Sequence, residues 1–168
     1  MDIVNATPND IPDILAIMDE ALRAAPHKDW YMTDDAQFIE RHMGSEGYTL
    51  KCVDGDRVAA FLIVRYPKDA KDNLGLYFPE LTMQKLEEIA HMESISVRRE
   101  YRGKGLQKKL LLAAEAIERK KGTQCLMATV HPDNCFSLNN FLSVGYECLL
   151  ETRKYGGVRR KVIYKDIN

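Results

Sequence analysis

The sequence predicts a mixed α/β fold in which a central, twisted mixed sheet is flanked by helices. Two patterns predict it: short apolar runs typical of strands alternate along the chain with segments that carry apolar residues at helical spacing. In the second half, one long helix lies between two strands, and this arrangement requires at least one parallel pair. The predicted order is β-α-α-β-β-β-α-β-α-β-β, and the 168 residues suit a single domain over 1–168 with one core.

The first predicted elements are a short strand at 3–6 and the helix that follows it. Thr7 is a favourable N-cap, and Pro8 has the fixed φ angle that suits the first helical turn. The apolar residues that then recur at helical spacing are Ile11, Ile14, Leu15, Met18 and Leu22. A second helix is predicted from Thr33 to Gly44, since glycine commonly ends a helix.

A β-hairpin is predicted next, formed by YTLKCV (48–53) and RVAAFLIVRY (57–66) with DGD between them. The segment 67–90 begins as polar, turn-rich chain, and its second half, PELTMQKLEEIA, contains helix-favouring residues after a proline. HMESISV (91–97) then predicts another strand, which ends directly before a glycine-rich turn.

The remaining predicted elements are, in order, a helix over 105–121 that ends at Gly122, a buried strand over 124–130, a short helix over 134–144 that ends at Gly145, and a hairpin of 146–153 with 160–167. The long helix is the clearest of these because Leu106, Leu110 and Ala114 share one face. The strands on either side of it are the ones expected to pair in parallel.

Composition and charge exclude several classes of function. The net charge is −1 and the longest apolar runs are far too short to cross a bilayer, so neither nucleic acid nor a membrane is an expected partner. The four cysteines have no C-x-x-C spacing and no signal-peptide pattern precedes them, which favours reduced thiols and a cytoplasmic protein. The four histidines lack ligand spacing, so no metal site is expected.

Residues 99–111, REYRGKGLQKKLL, concentrate glycine and positive charge at the start of the long helix. A helix N-terminus is itself the positive end of the helix dipole, so cations there are unfavourable unless an anion binds between them. Gly103 and Gly105 allow the backbone to approach such an anion, and Arg102 and Lys104 would add charge-assisted contacts. The alternative is a tight turn with solvated lysines. The spacing matches neither a nucleoside-triphosphate P-loop nor a dinucleotide-binding fingerprint.

The run V-x-x-x-Y-R-G-K-G-L, from Val97 to Leu106, resembles the acyl-CoA-binding motif of the GNAT superfamily of acetyl-CoA-dependent N-acetyltransferases. That motif is (Q/R)-x-x-G-x-(G/A), which corresponds here to residues 102–107. A second segment, HPDNCFSLNNFLSVGYE (131–147), is similar to the family's N-x-x-(A/S) followed by an aromatic residue and then G-F/Y. Its matching residues are Asn134, Ser137, Phe141, Gly145 and Tyr146. The predicted element order also matches this fold, so the resemblance covers essentially the whole chain.

The resemblance implies a GNAT-like fold with acetyl-CoA as co-substrate. The pyrophosphate would lie on the backbone of residues 102–108, and the pantetheine arm would follow the strand that ends ESISV, pairing with backbone groups of Ile95 and Val97. The residues that the resemblance assigns to cofactor binding are Ile95, Ser96, Val97, Arg102, Gly103, Lys104, Gly105, Leu106, Gln107, Lys108, Asn134, Ser137 and Phe141. Asn134 would hydrogen-bond the arm or the bound acceptor.

The activity that the resemblance implies is transfer of an acetyl group to a primary amine of a small molecule or peptide, by direct attack on the thioester. The amine must be neutral, and reference pKa values of about 10.4 for a lysine-type amine and about 8 for an α-amine make a base useful. Glu93 and His91 are the candidate base or proton relay, because the family has bases at these positions and residues two apart on a strand share a face. Alternatively, Glu93 pairs with a lysine and His91 caps the preceding helix.

Two residues depart from the family pattern. Gln107 stands where a small residue is usual, so its side chain must turn outward or donate a hydrogen bond to the phosphates. Phe141 stands where many members have a tyrosine that protonates the leaving thiolate, so that role is unfilled or has moved. A thiol pKa of about 8.5 lets the anion leave without full protonation near neutral pH. Tyr146 and Tyr155 are conceivable donors, but Tyr146 takes the place of the family's core aromatic residue, so packing is the role expected of it.

A different class of function, a non-catalytic acyl-CoA-binding regulatory module, is the alternative that these two departures favour. Nucleic-acid binding through the basic segment 153–161 is remote, because that segment is typical of a solvated hairpin. The acceptor pocket is expected from loops at 22–35, 67–90 and 153–160, where no motif identifies the acceptor. The sequence leaves the oligomeric state open, with a homodimer as one option.

Overall fold

The computed structural model describes residues 1–80 and 83–168. The strands are β1 (Asp2–Asn5), β2 (Gly47–Asp54), β3 (Arg57–Arg65), β4 (Ile89–Val97), β5 (Cys125–Val130), β6 (Glu147–Lys154) and β7 (Val158–Asp166). The α-helices are α1 (Ile11–Ala24), α2 (Ala36–Arg41), α3 (Met83–Leu86), α4 (Leu106–Lys121) and α5 (Cys135–Ser143). The predicted order is confirmed, and α3 is one additional turn between β3 and β4. Residues 81–82 of the predicted helical stretch 79–90 lie outside the described part of the chain.

The strands form one mixed sheet with the order β1-β2-β3-β4-β5-β7-β6. The β4–β5 pair is parallel, and the other neighbours are antiparallel. Both predicted hairpins, β2–β3 and β6–β7, are present. The mixed α/β fold and the parallel pair around α4 are therefore confirmed.

The sheet divides where β4 meets β5. Their ladder joins only residues 89–91 to residues 125–127. Beyond it, β4 continues along β3 as far as Val97, while β5 continues along β7 as far as Val130. The two strands therefore diverge, and a cleft lies between them.

A β-bulge interrupts β4 at Glu93. Met92 is opposite Val64 and Ser94 is opposite Ile63, which leaves Glu93 without a partner across the ladder. A bulge changes which face the following residues occupy. Met92 and Ile95, three positions apart, consequently pack into the same core cluster. The uninterrupted alternation that the sequence suggested for this strand does not hold past Met92.

The first two helices begin later than predicted. Thr7 donates its backbone N–H to the Asp10 carboxylate at 2.8 Å, and residues 8–10 form a short 3-10 turn before α1. The N-cap of α2 is Asp35, whose side chain accepts a hydrogen bond from the Phe38 N–H at 2.7 Å. Because that cap fixes the start, α2 begins at Ala36 rather than at Thr33.

Helices cover both faces of the sheet. On one face, Leu106, Leu110 and Leu111 of α4 belong to a core cluster with residues of β2–β5. On the other face, α1 packs against Phe61 and Ile63 of β3. Since β3 is buried on both sides, its continuous apolar sequence is explained. No helix of the described residues is both long enough and apolar enough to cross a membrane.

Candidate active site

A cleft of about 920 Å³ lies between the diverging halves of β4 and β5. Its walls include the second half of β4, the turn before α4, the start of α5 and part of the loop after α1. The β6–β7 hairpin contributes Tyr155 and Arg160. Of the three loops expected to form the acceptor pocket, 22–35 and 153–160 supply lining residues, whereas the described residues of 67–90 do not line this cleft.

The turn before α4 allows a ligand to approach the backbone closely. Gly103 and Gly105 have φ angles of 77° and 71°, in the left-handed region that glycine adopts most readily. A Cβ at either position would meet nothing within 4 Å, so the space beside the turn is open. Lys109 is the first residue whose N–H bonds inside the helix, to the Gly105 carbonyl at 3.1 Å. The N–H groups of the preceding turn have no partner within the helix and can bind an anion.

Cationic side chains surround this turn, as the sequence predicted. Arg102 and Lys108 line the cleft, and the Lys104 ammonium lies 4.9 Å from the ring centroid of Tyr101. Open backbone, the positive helix end and these cations together fit a phosphate ligand. The turn therefore fits the pyrophosphate of acetyl-CoA.

The side of β4 that faces the cleft is the other part of the predicted cofactor site. Ile95, Ser96 and Val97 all line the cleft. The Val97 carbonyl accepts a hydrogen bond from Nε of Arg102 at 3.3 Å. Past residue 91, β4 has no ladder to β5, so this edge is where an extended ligand with amide groups would fit.

The start of α5 brings the second sequence motif to the cleft. Asn134 is the N-cap of α5, and its side-chain oxygen accepts the Ser137 N–H at 3.2 Å. Its amide nitrogen is the part that can meet a ligand. Phe141 also lines the cleft, with its ring buried in the core.

Gln107 is bonded within the protein. Its Nε2 donates to Oγ of Ser137 at 3.0 Å, and its Oε1 accepts from Nδ2 of Asn140 at 2.8 Å. Neither alternative considered from the sequence, an outward side chain or a phosphate donor, describes this arrangement. The side chain connects α4 to α5, while the backbone of Gln107 stays in the predicted phosphate-binding turn.

Glu93 and His91 lie side by side at the bulge in β4. An oxygen of Glu93 is 3.5 Å from Nδ1 of His91 and 3.8 Å from the Arg65 guanidinium. Burial raises the pKa of Glu93, but the hydrogen bond from His91 and the charge of Arg65 outweigh it, so the pKa lies below its usual range. Glu93 is therefore an ionised carboxylate that faces the cleft. Its partners are His91 and an arginine, and the lysine considered from the sequence is not among them.

The ring of His91 is fixed by a backbone contact. The Leu74 N–H donates to its Nε2 at 3.1 Å, at the start of the 3-10 helix Leu74–Tyr77. With Nε2 as an acceptor, the neutral ring carries its proton on Nδ1, which is the nitrogen that faces Glu93. His91 thus accepts the first N–H of the 3-10 turn Leu74–Tyr77 and contacts Glu93 with its other nitrogen. Its role as a base or proton relay stays a prediction.

Two residues near Glu93 were missed in the sequence as individual candidates. The hydroxyl of Tyr31 lies 3.1 Å from Oγ of Ser94 and lines the cleft. Burial and the charge of Glu93 raise the pKa of Asp34 to about 7. The segment DWYMTDD (29–35) was notable for its aromatic and acidic residues, but only the fold shows which of them approach Glu93. Asp34 and Glu93 form a pair of carboxyls whose pKa values are shifted in opposite directions.

A second, small cavity adjoins the cleft behind Tyr155. Its volume is about 40 Å³, and Glu93, Thr129 and Tyr155 belong to the lining of both cavities. The other polar side chains around it include Arg65 and Asp72, which are joined by two hydrogen bonds of 2.8 and 2.9 Å. This volume and polarity suit a water molecule.

The two tyrosines considered as proton donors occupy different places. Tyr155 lines the cleft, and its hydroxyl is 3.3 Å from Oγ1 of Thr129. Burial, together with the charge of Glu93, raises the pKa of Tyr155, so the hydroxyl keeps its proton. Tyr146 packs edge-on against Phe141, with ring centroids 4.9 Å apart, and is not among the residues that line the cleft. Its role is packing.

The sheet that divides between β4 and β5, and the glycine turn that opens onto its cleft, agree with the class of acyl-CoA-dependent transferases. The acetyltransferase (GNAT) family model matches residues 14–146, and the chain belongs to that family. The family transfers acetyl groups from acetyl-CoA to amines, so the predicted family and co-substrate are confirmed. A search of curated protein sequences gave no significant match.

Solved structures share the fold at low sequence identity. A ribosomal-protein-alanine N-acetyltransferase from Brucella melitensis is 21% identical with a TM-score of 0.74, over 99% of both chains. The ribosomal-protein-S18-alanine N-acetyltransferase from Escherichia coli is 17% identical with a TM-score of 0.73, over 99% of this chain and 94% of its own. The protein yncA from Salmonella typhimurium, solved with its cofactor acetyl-CoA, is 18% identical with a TM-score of 0.72, over 100% and 94%.

Proposed function

We propose that this acetyltransferase acts on a primary amine of a small molecule or peptide, with Glu93 and His91 removing the amine's proton. The observation that carries the proposal is the 3.5 Å approach of His91 to Glu93 at a bulge that faces the cleft. Bulges often re-aim side chains at active sites. The same cleft contains the turn before α4 that fits a pyrophosphate.

The cofactor is held by three groups of residues in this proposal. The turn at 102–108 binds the pyrophosphate, the β4 edge at 95–97 binds the pantetheine arm, and Asn134, Ser137 and Phe141 of α5 form the opposite wall. Acetyl-CoA supplies an acetyl group activated as a thioester. Asn134 has a free amide nitrogen in the cleft, with which it holds the arm or the acceptor amine.

Glu93 is the proton acceptor in this proposal. An amine in water at neutral pH is mostly protonated, since its reference pKa is about 8 to 10.4. Glu93 is ionised, so it attracts the ammonium form and takes its proton when the amine attacks. His91 holds the carboxylate in place through its Nδ1 proton, and the buried Leu74 N–H keeps the ring from rotating.

The proton then leaves by a short polar route. The small cavity that shares Glu93 and Tyr155 with the cleft extends to Asp72, whose side chain is more than half exposed. A water molecule in this cavity would connect Glu93 to the surface. Tyr155 is the donor we assign to the leaving thiolate, in a minor role because a thiolate leaves readily near neutral pH.

We further propose that residues 1–168 form one catalytic domain. The cleft is built by the end of α1 and the loop after it from the first half of the chain, and by β4, β5, α5 and the β6–β7 hairpin from the second. Neither half contains the whole site. The four cysteines are free, with Cys135 and Cys148 exposed, which supports our expectation of a reducing, cytoplasmic setting.

Release of free CoA thiol from acetyl-CoA, measured against a panel of small amines and short peptides, tests the proposal. We expect thiol release that depends on the acceptor and saturates with it, and mass spectrometry of the product should show one added acetyl group on nitrogen. Saturable CoA binding without thiol release from any acceptor would contradict the proposal and favour a regulatory acyl-CoA-binding module.

A further inference from the structure

Arg160 places a positive charge in the cleft without a carboxylate partner among the described residues. Its side chain is 3% exposed and lines the cleft. The adjacent Arg159 is different, because it is exposed and pairs with Glu151 at 2.9 Å and with Asp133 at 3.5 Å. Arg160 is thus the buried one of the two arginines, and no acidic side chain among the described residues forms an ion pair with it.

Most of the hydrogen-bonding capacity of Arg160 is unused. One guanidinium nitrogen donates to the Arg159 carbonyl at 2.8 Å, whereas a guanidinium has five N–H donors. The guanidinium carbon lies 5.4 Å from the ring centroid of Tyr155, so the ring supports one of its faces. Burying such a charge is costly unless a partner binds it. The same cost lowers the pKa of Arg160, and the charge of Asp29 only partly offsets it.

Arg160 and Glu93 are related through Tyr155. The Tyr155 ring packs against Arg160, and Tyr155 also lines the small cavity together with Glu93. The positively charged guanidinium of Arg160 and the carboxylate of Glu93 therefore both face the cleft near the ring of Tyr155. An acceptor with an amine at one end and an anion at the other matches this arrangement.

We propose that Arg160 binds a carboxylate of the acceptor, so that the preferred acceptors are amines that carry a carboxylate a few bonds away. The inference rests on the proposed acetyl transfer and specifies its substrate class. Guanidinium and carboxylate pair through two parallel hydrogen bonds, which fix orientation as well as affinity. The carboxylate belongs either to a free amino acid or to an acidic residue at the start of a peptide.

Matched acceptors separate the carboxylate from the rest of the molecule. Each amino acid is compared with its own carboxamide, and a peptide that begins with Asp is compared with one that begins with Asn. Rates are corrected for the fraction of neutral amine. We expect Arg160→Gln to reduce kcat/KM for the carboxylate member by roughly 30-fold or more, and for the amide member by no more than about threefold. Arg159→Gln, at the exposed neighbour, should leave the ratio within each pair unchanged.

Two measurements keep the outcome clear if Arg160→Gln folds poorly. Arg160→Lys keeps the charge and loses the paired geometry, so it should retain part of the preference. In the unaltered enzyme, propionate should inhibit competitively against the acceptor and propionamide should not. Equal inhibition by both, or equal loss for both members of each pair in Arg160→Gln, overturns the carboxylate site while leaving acetyl transfer in place.

Failure of the proposed function gives a different result. If no amine causes release of CoA thiol, calorimetric titration of amino acids into the CoA-bound protein still tests whether Arg160 binds a carboxylate. Amino-acid binding that Arg160→Gln abolishes supports the site without catalysis, and absence of binding to the unaltered protein overturns it.

Discussion

Nδ1 of His91 lies 3.5 Å from a carboxylate oxygen of Glu93, the bulge residue that interrupts the ladder between β4 and β3. The bulge and the imidazole act together, because the bulge presents Glu93 to the cleft and the ring holds it there. Against the effect of burial, the hydrogen bond of His91 and the Arg65 guanidinium at 3.8 Å hold the pKa of the carboxylate below its usual range. Replacement of Glu93 should therefore have effects that depend on pH.

Glu93→Gln should lower kcat by roughly a hundredfold at pH 6 and by much less at pH 9.5. At pH 6 nearly all of the amine carries a proton that Glu93 must remove, whereas at pH 9.5 a large fraction is already neutral. The measurement is the pH profile of kcat for both proteins. The exposed Glu87, changed to Gln, serves as the control and should leave the profile unchanged. A loss of the same size at every pH would argue against proton removal by Glu93.

Gly105→Ala and Gly122→Ala should have matched effects on stability and different effects on CoA binding. Both glycines have a left-handed φ, 71° and 82°, and open space beside them. Each substitution should thus cost about 1–2 kcal/mol of unfolding free energy. Only Gly105 lies in the turn before α4, so only its variant should bind CoA more weakly, by roughly tenfold or about 1.4 kcal/mol. Urea unfolding and calorimetric titration with CoA check the two effects, and equal CoA affinity in both variants would contradict the assigned turn.

Gln107→Ala should destabilise the protein and leave CoA affinity unchanged. The side chain has hydrogen bonds to Ser137 and Asn140, so its removal should cost about 1–2 kcal/mol of unfolding free energy. Gln124→Ala, at an exposed glutamine whose side chain donates to the Gly122 carbonyl, is the control and should cost less. Weaker CoA binding without loss of stability would show that Gln107 contacts the phosphates after all.

Asp34→Asn should make stability less sensitive to pH. The pKa of Asp34 is about 7 in the folded protein, against a reference value of 3.8. Between these values the folded state keeps a proton that the unfolded state has lost, so the stability of the wild-type protein falls as pH rises from about 4 to 7. The variant lacks this fall in stability. Relative to the wild-type protein, its unfolding free energy should be higher by roughly 1–2 kcal/mol at pH 8, after screening by solvent, and no higher at pH 4. Urea unfolding at both pH values measures this, with the exposed Asp69→Asn as control.

Tyr155→Phe should reduce kcat by no more than roughly tenfold at pH 7, and by less above pH 9. In the proposed reaction the phenol protonates the thiolate, yet a thiol of pKa about 8.5 leaves with little help. The variant keeps the ring that packs against Arg160, so KM for a carboxylate acceptor should not change. Tyr164→Phe, whose hydroxyl donates to Glu147, is the control. Turnover equal to wild type would remove Tyr155 from the reaction.

Local signals in the sequence were sufficient for the order of elements and for the glycine turn before α4. Gly105 and Gly122 mark the two ends of α4 because glycine adopts left-handed backbone without strain. The start of α2 was predicted three residues too early, because several of the residues in TDD can cap a helix and only the folded chain selects Asp35.

The long-range part of the site could not be predicted from residue spacing. The bulge at Glu93 follows from the fit of β4 to β3, and the contacts of Arg65 and Gln107 join segments far apart in the chain. Arg160 looked like one of several cations in a basic hairpin. Its burial in the cleft comes from the pairing of β7 with β5, which no local pattern specifies.

The short ladder between β4 and β5 has a consequence for how substrate affinity can be adjusted. Three residue pairs hold the two half-sheets at their angle, with Ala90 opposite Leu126 at the centre. Both side chains are fully buried, and neither lines the cleft. A change of volume at this junction would alter the aperture of the cleft for cofactor and acceptor together. A substitution at Ala90 or Leu126 can therefore change the affinities for cofactor and acceptor together, although neither side chain lines the cleft.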